Sequence, residues 1–285
     1  MSLLAAEPGI RLAAFLAVFA AAALWEAVAP RRRRAFARAR RWPHNLALVA
    51  LDTALLRLLI PGAALGVALA AQARGWGLLN AAALPAWVAV ALAVVLLDLV
   101  IYLQHVMFHA LPALWRLHRV HHCDPDFDVT TGARFHPLEI LLSALVKMAA
   151  VAALGAPPLA VLAFEVLLNA TSMFNHANAR LPLALDRWLR LLVVTPDMHR
   201  VHHSVLREET DSNFGFSLPL WDRLFGTYRA QPAAGHEAMA IGVAGLRGAD
   251  ALRIDRLLLQ PLRAQPGGLA ADPPGTATDH RAKSG

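Results

Sequence analysis

Apolar positions in this chain come in long, nearly unbroken runs. The first covers Leu12 to about Ala29 and is interrupted only by Glu26. A run of that length spans a bilayer as a helix. A second covers Asn45 to Ala71 and contains Asp52, Arg57 and Pro61. Charges at that depth pair with one another or snorkel, so a structural Asp52/Arg57 pair or snorkelling is expected. Gly75 to Asn80 reads as a short outer loop, and a third span follows from about Ala81 to Leu103. Leu138 to Phe174 is apolar apart from Glu139, Lys147 and Glu165, with Gly155-Ala156-Pro157-Pro158 near its middle. Gly and Pro together favour a turn, so this stretch predicts a helical hairpin that enters the membrane and returns. Leu181 to Val194 mixes leucines and Trp188 with Asp186, Arg187 and Arg190, the pattern of an amphipathic helix at an interface.

Charge orients these elements. Arg31 to Arg34, Arg38, Arg40 and Arg41 follow the first apolar run. A cleaved signal would carry its positive charge before the apolar core, so the first run reads as a retained helix ending at a cytoplasmic, Arg-rich loop. The apolar flanks argue against nucleic acid as the partner of these arginines. The third span then ends on the same side, and both ends of the hairpin lie there too. The expected fold is all-α: a multi-pass transmembrane helical bundle with a cytosol-facing helical site. Residues 1–80 read as N-terminal transmembrane helices with the Arg-rich loop and 81–230 as a catalytic membrane domain. Residues 231–264 read as a C-terminal helical extension, and 265–285, rich in Pro, Gly, Ala and Asp, as a disordered tail.

Composition sharpens the chemistry. Of 285 residues 57% are apolar and only 16% charged, well below the quarter usual in soluble domains, and the net charge is +7. A single cysteine, Cys123, excludes an internal disulfide framework and a cysteine-based iron–sulfur or zinc site. There are thirteen histidines, ten of them between His105 and His203. His44, His236 and His280 stand apart and are expected to be ordinary polar residues.

Eight of the ten fall into three motifs: His105-x-x-x-His109, His118-x-x-His121-His122 and His199-x-x-His202-His203. On a helix, residues i and i+4 share a face, whereas adjacent residues diverge by about 100°. An adjacent pair can therefore serve two different metals. The third motif also has a well-marked helix start, with Thr195 as N-cap, Pro196 in the first position and Asp197 in the first turn. Imidazole suits Fe, Zn, Cu and Ni. Eight imidazoles are too many for one ion and suit two with open positions. His176 and His136, at the two ends of the hairpin, would raise the count to ten. The Glu-x-x-His pairs of soluble di-iron bundles are missing. Carboxylates are then expected to orient the imidazole N–H groups, with Asp98, Glu165, Asp197 and Asp211 as candidates.

This set of motifs resembles the fatty acid hydroxylase/sterol desaturase superfamily of integral-membrane enzymes. Leu114-Trp115-Arg116, Arg134-x-His136-Pro137-x-Glu139, Asn175-His176, Asp211-x-Asn213-Phe214-Gly215 and Trp221-Asp222-Arg223-Leu224-Phe225-Gly226-Thr227 carry the likeness from about Asp98 to Tyr228. The resemblance implies a di-iron centre that uses O2 to hydroxylate or desaturate a C–H bond of a membrane lipid, whether sterol, fatty acyl chain, sphingolipid, ether lipid or carotenoid. It implies His105, His109, His118, His121, His122, His176, His199, His202 and His203 as metal ligands, with His136, Asn178, Asp98 and Asp211 as further ligands or supports. Some members carry another histidine where Arg180 stands here, and Asn178 or a water is expected to fill that gap. The chemistry needs electrons. With no Gly-x-Gly-x-x-Gly loop and no cysteine set, a separate donor protein is expected, ferredoxin or cytochrome b5-like. The competing readings are a membrane metal transporter or sensor, and a zinc hydrolase. The surplus histidines and the missing His-Glu-x-x-His motif argue against the hydrolase.

Overall fold

The structure, a computed structural model, describes residues 3–264, so the tail expected at 265–285 lies outside the described residues. The first ten helices are α1 (Leu3–Val28), α2 (Arg38–Leu59), α3 (Ala63–Arg74), α4 (Leu78–Ala81), α5 (Ala86–Ala110), α6 (Pro112–His122), α7 (Pro137–Leu154), α8 (Pro158–Asn175), α9 (Leu183–Leu189) and α10 (Pro196–His202). Four short helices follow, α11 (Arg207–Thr210), α12 (Leu220–Leu224), α13 (Gly235–Ala238) and α14 (Ile254–Leu259). Among the described residues there is no strand, only two isolated bridges, Pro30 with Ala179 and Ser204 with Ile241. Five segments are long and apolar enough to cross a membrane: α1, the stretch Arg38–Ala81, α5, α7 and α8. Leucines such as Leu12, Leu16, Leu24, Leu145 and Leu159 remain exposed on them, as lipid-facing side chains must.

The second apolar run is two helices, not one. Pro61 cannot continue a helix, because it lacks an N–H and its ring meets the preceding turn. Helix α2 stops at Leu59, Gly62 takes a left-handed φ of +78°, and α3 starts in a new direction. Its start lies beside Leu4, in the first turn of α1, and its end meets the α7–α8 turn, where the Trp76 carbonyl lies against Gly155. Both contacts are remote from the histidines. The crossing segment is therefore α2, and α3 stays at the far end, packed on α7 and α8. The expected outer loop contains the short helix α4. Its neighbour Gly77 approaches the hairpin turn so closely that a Cβ there would lie 2.0 Å from the Gly155 nitrogen. The third crossing is longer than its apolar run suggested and carries His105 and His109 in its last turns.

Two expectations about charge change. Asp52 and Arg57 form no ion pair; Asp52 is buried with one carboxylate oxygen unpartnered. The arginine run is also more than a surface anchor. Arg33, Arg34 and Arg40 are exposed, but Arg41 is fully buried, with Nη2 2.6 Å from Asp124 and Nη1 2.5 Å from Asp128. Burial alone would raise the Asp124 carboxyl. The guanidiniums of Arg41 and Arg134 outweigh it and hold the group down to about 2. Glu26 of α1 accepts from the amides of Val129 (2.6 Å) and Asn178 (2.9 Å). The N-terminal helices are thus keyed into the half that carries the histidines. Within residues 231–264, Val243, Ala251 and Leu257 pack with Trp115 and Val120 beneath the second histidine motif.

Candidate metal centre

Each histidine motif is placed by ordinary helix chemistry. Pro112 opens α6 two residues after α5 ends, which turns the second motif back over His105 and His109. Thr195 caps α10 by accepting from the Met198 amide at 3.3 Å, with Pro196 in the first position, as its sequence predicts. The hairpin returns His176 to the same end.

Nine histidines meet there in two groups: His105, His109, His118, His122 and His202 in one, and His121, His176, His199 and His203 in the other. Within each group the ring nitrogens lie within 4.8 Å of one another. The i,i+4 pairs His105/His109, His118/His122 and His199/His203 stay together. The adjacent pairs His121/His122 and His202/His203 are divided between the groups, as the 100° divergence requires.

The ring protons show what these groups can hold. His105 Nδ1 donates to the Phe214 carbonyl (2.7 Å), His202 Nδ1 to the Ser212 carbonyl (2.8 Å), His176 Nδ1 to the Ser172 carbonyl (2.7 Å) and His121 Nδ1 to the Arg134 carbonyl (3.2 Å). His118 Nδ1 donates to Glu139 at 2.6 Å and His109 Nδ1 to Asp211 at 3.3 Å. A carbonyl can only accept, so the proton sits on Nδ1 and Nε2 presents a lone pair. Burial, with repulsion from neighbouring imidazoles second, holds His121, His122, His199, His202 and His203 well below the ordinary histidine range. Burial pushes His118 and His176 down to about 3. The rings are neutral, yet where both Nδ1 protons are placed the Nε2 atoms still approach to 3.0 Å for His105 with His118 and 3.1 Å for His176 with His121. Lone pairs facing at that distance repel unless a cation lies among them. Nitrogens about 2.1 Å from a metal and at right angles around it are about 3 Å apart, so the residues present fit a metal in each group. The buried Nε2 of His202 and both nitrogens of His199 have no hydrogen-bond partner, as donors reserved for such an ion would.

One short loop orients most of the first group. Asp211, the Ser212 carbonyl and the Phe214 carbonyl face His109, His202 and His105 in turn. Asn213, at a left-handed φ of +50°, ties the loop to the Met198 and Arg229 carbonyls. Buried Asp222 accepts from the amides of Phe214 (2.8 Å) and Gly215 (2.9 Å) and from the Thr227 hydroxyl (2.7 Å). This accounts for two sequence motifs that supply no ligand of their own but hold the imidazoles in place.

The other expected supports lie elsewhere. His136 caps α7, accepting from the Leu138 amide through Nδ1 while Nε2 faces the Leu258 carbonyl, so both its nitrogens are committed. Asn178 exchanges two 2.9 Å hydrogen bonds with the backbone of Arg32 and fills no gap among the imidazoles. Asp98 accepts from the Trp221 indole and the Leu218 amide. Glu165 pairs with Lys147 and Arg11 in the membrane. Asp197 pairs with Arg200 and Arg31. Of the four carboxylates expected to orient the clustered imidazoles, only Asp211 does; Glu139, present in the sequence as Pro137-x-Glu139, is the one the spacing did not single out. His236 stands outside both groups, buried, 3.6 Å from Asp197.

Gly132 bears on the second group. A Cβ there would lie 2.5 Å from the Ser172 carbonyl oxygen, the acceptor for His176, and 3.1 Å from His176 Nδ1 itself. Gly132→Ala is expected to cost about 1–3 kcal/mol through overpacking and to lower metal retention. Metal analysis and thermal unfolding of the purified variant check this; wild-type values for both would refute it.

A helical membrane bundle with nine histidines gathered at one end has the donor set that a membrane metalloprotein needs. Residues 90–227 match the fatty acid hydroxylase family, and the known proteins the chain resembles are members of the same superfamily. The chain is 30% identical over 156 residues to ornithine lipid hydroxylase OlsE of Rhizobium tropici, covering 55% of this chain and 46% of that protein. It is 33% identical over 131 residues to alkylglycerol monooxygenase of Homo sapiens, covering 46% of this chain and 28% of that one. Cholesterol 25-hydroxylase of Rattus norvegicus is 26% identical over 144 residues, covering 50% and 47%. The aligned region thus spans about half, or less, of the relatives' length. No solved structure matches the chain.

Proposed function

We propose that the protein is a di-iron membrane enzyme that hydroxylates a C–H bond of a lipid with O2. The observation that carries this is the convergence of nine neutral imidazoles in two adjacent groups. The first group alone has five nitrogens, more than tetrahedral zinc takes and suited to an iron of higher coordination. Iron held there supplies reductive activation of O2 and cleavage of an unactivated C–H bond. The chain's own residues bind it and fix the direction of each imidazole through the 211–214 loop, Glu139 and the Ser172 and Arg134 carbonyls. A cavity of about 400 Å3 opens beside His109. Val106, Trp115, Phe214 and Val243 give it apolar walls, and Arg207 and Asp211 line it as well. An acyl or ring carbon enters along those walls while water is excluded. The names of the relatives favour hydroxylation over desaturation and a membrane lipid as substrate.

The excess of arginine beside the histidine end supports a cytoplasmic site, where a one-electron donor protein of the ferredoxin or cytochrome b5 kind delivers electrons. Lipidomics of cells with and without the protein, grown under 18O2, tests the reading. New hydroxylated lipids carrying 18O are expected. Label drawn only from water would identify a hydrolase, and metal flux into sealed vesicles without O2 would identify a transporter.

A further inference from the structure

A second cavity, of about 480 Å3, lies where α1 leaves the membrane and meets the segment leading into α9. Its walls are Ala29, Arg31, Arg180 to Leu183, and Glu237. A short backbone ladder fixes its two arginines. Pro30 bridges Ala179, the Arg31 amide donates to the Asn178 carbonyl (2.9 Å), and the Arg180 amide donates to the Ala29 carbonyl (2.8 Å). Arg31 is engaged with Asp197 and Glu237. Arg180, where some family members carry a histidine, is exposed and its side chain makes no hydrogen bond or ion pair. It faces this cavity rather than the imidazoles.

The depth of the cavity follows from its neighbours. Its wall begins at Ala29, one residue beyond the end of the crossing helix α1. At and just past its other wall, Leu183, Leu185, Trp188, Leu191 and Leu192 are exposed on and after α9. Exposed leucines beside a tryptophan mark the boundary between acyl chains and headgroups. Arg33 and Arg34 are exposed two and three residues from Arg31 and add positive charge at that level. A cavity with two arginines at headgroup depth, at the end of a crossing helix and the start of an interfacial one, matches a lipid phosphate flanked by acyl chains.

We propose that this cavity binds the phosphate of an anionic phospholipid from the leaflet on the histidine side, with Arg180 as its principal contact and Leu183 against the glycerol and upper acyl chain. The site is separate from the cavity beside His109 and does not depend on the reaction proposed above. Arginine donates to two phosphate oxygens at once, and Glu237, 72% exposed at the rim, keeps the cavity from holding an anion without a lipid anchor.

Native mass spectrometry of the purified full chain in detergent, titrated with phosphatidylglycerol or phosphatidylcholine, tests this. Wild type is expected to retain phosphatidylglycerol preferentially. Arg180→Gln should weaken that retention about fivefold. Arg40→Gln removes the same charge from the exposed start of α2 and should leave it unchanged. Glu237→Gln should strengthen retention, an effect of opposite sign that misfolding does not produce. Equal loss in Arg180→Gln and Arg40→Gln, equal retention of phosphatidylcholine, or displacement of the lipid by an equal concentration of inorganic phosphate would each overturn the proposal.

Discussion

His121→Ala and His122→Ala are expected to affect different metal positions although the residues are neighbours in sequence. His121 belongs to the group of four and His122 to the group of five. Removing His121 leaves three imidazoles, and His176 loses one of its two 3.1 Å partners. That variant should retain about one iron per chain instead of about two, with activity below about 1% of wild type, beyond the 10–100-fold loss typical when only a supporting contact is removed. Removing His122 leaves four imidazoles, as many as the intact second group holds. This variant should keep more iron than His121→Ala while losing activity through altered geometry. Iron analysis of both proteins, purified side by side, distinguishes the outcomes. Identical loss of all iron in both would mean one shared site, and unchanged iron in both would remove these residues from the ligand set.

Asp222→Ala should be the most damaging change among residues that touch no imidazole. Its carboxylate is fully buried and serves two backbone amides and a hydroxyl. Without it the Phe214 and Gly215 amides are left buried without acceptors, at about 1–3 kcal/mol each. Against a net stability of about 5–15 kcal/mol that is a large loss. It falls on the loop whose carbonyls hold His105 and His202. Lower thermal stability and loss of iron from the first group are expected together, with activity down more than about tenfold. Asp222→Asn keeps one oxygen and should fall between the two. An alanine variant with wild-type iron content and unfolding temperature would show that the loop is held by other means.

The helical class, the hairpin and eight of the nine clustering histidines were legible in the sequence from local periodicity: apolar runs of bilayer length, and imidazoles spaced to share or divide a helix face; His176 was legible from its place at the end of the hairpin. What escaped the sequence rests on distance. Asp98 shares a face with His105, but seven residues are about 10.5 Å along a helix, so it meets Trp221 instead. Glu165 precedes His176 by eleven residues and lies deeper in the membrane, beside Lys147 and Arg11. The acceptors that orient His105, His121, His176 and His202 are backbone carbonyls, which carry no residue identity and leave no trace in a spacing pattern. Arg41 sat in a run of arginines with an obvious surface reading, while its partners Asp124 and Asp128 lie more than eighty residues away. The break at Pro61-Gly62 was visible, but the apolar run through it concealed that the chain turns there rather than crosses on.

The Glu26 contact constrains how the protein is made. Glu26 emerges from the ribosome 152 residues before Asn178, whose amide it accepts. A nascent chain inserting from its N-terminus carries this carboxylate unsatisfied by Asn178 until the hairpin has been threaded and His176 delivered with it. Closure of α1 onto α8 therefore waits on the hairpin, and the second group of imidazoles is complete only once His199 and His203 have been translated as well.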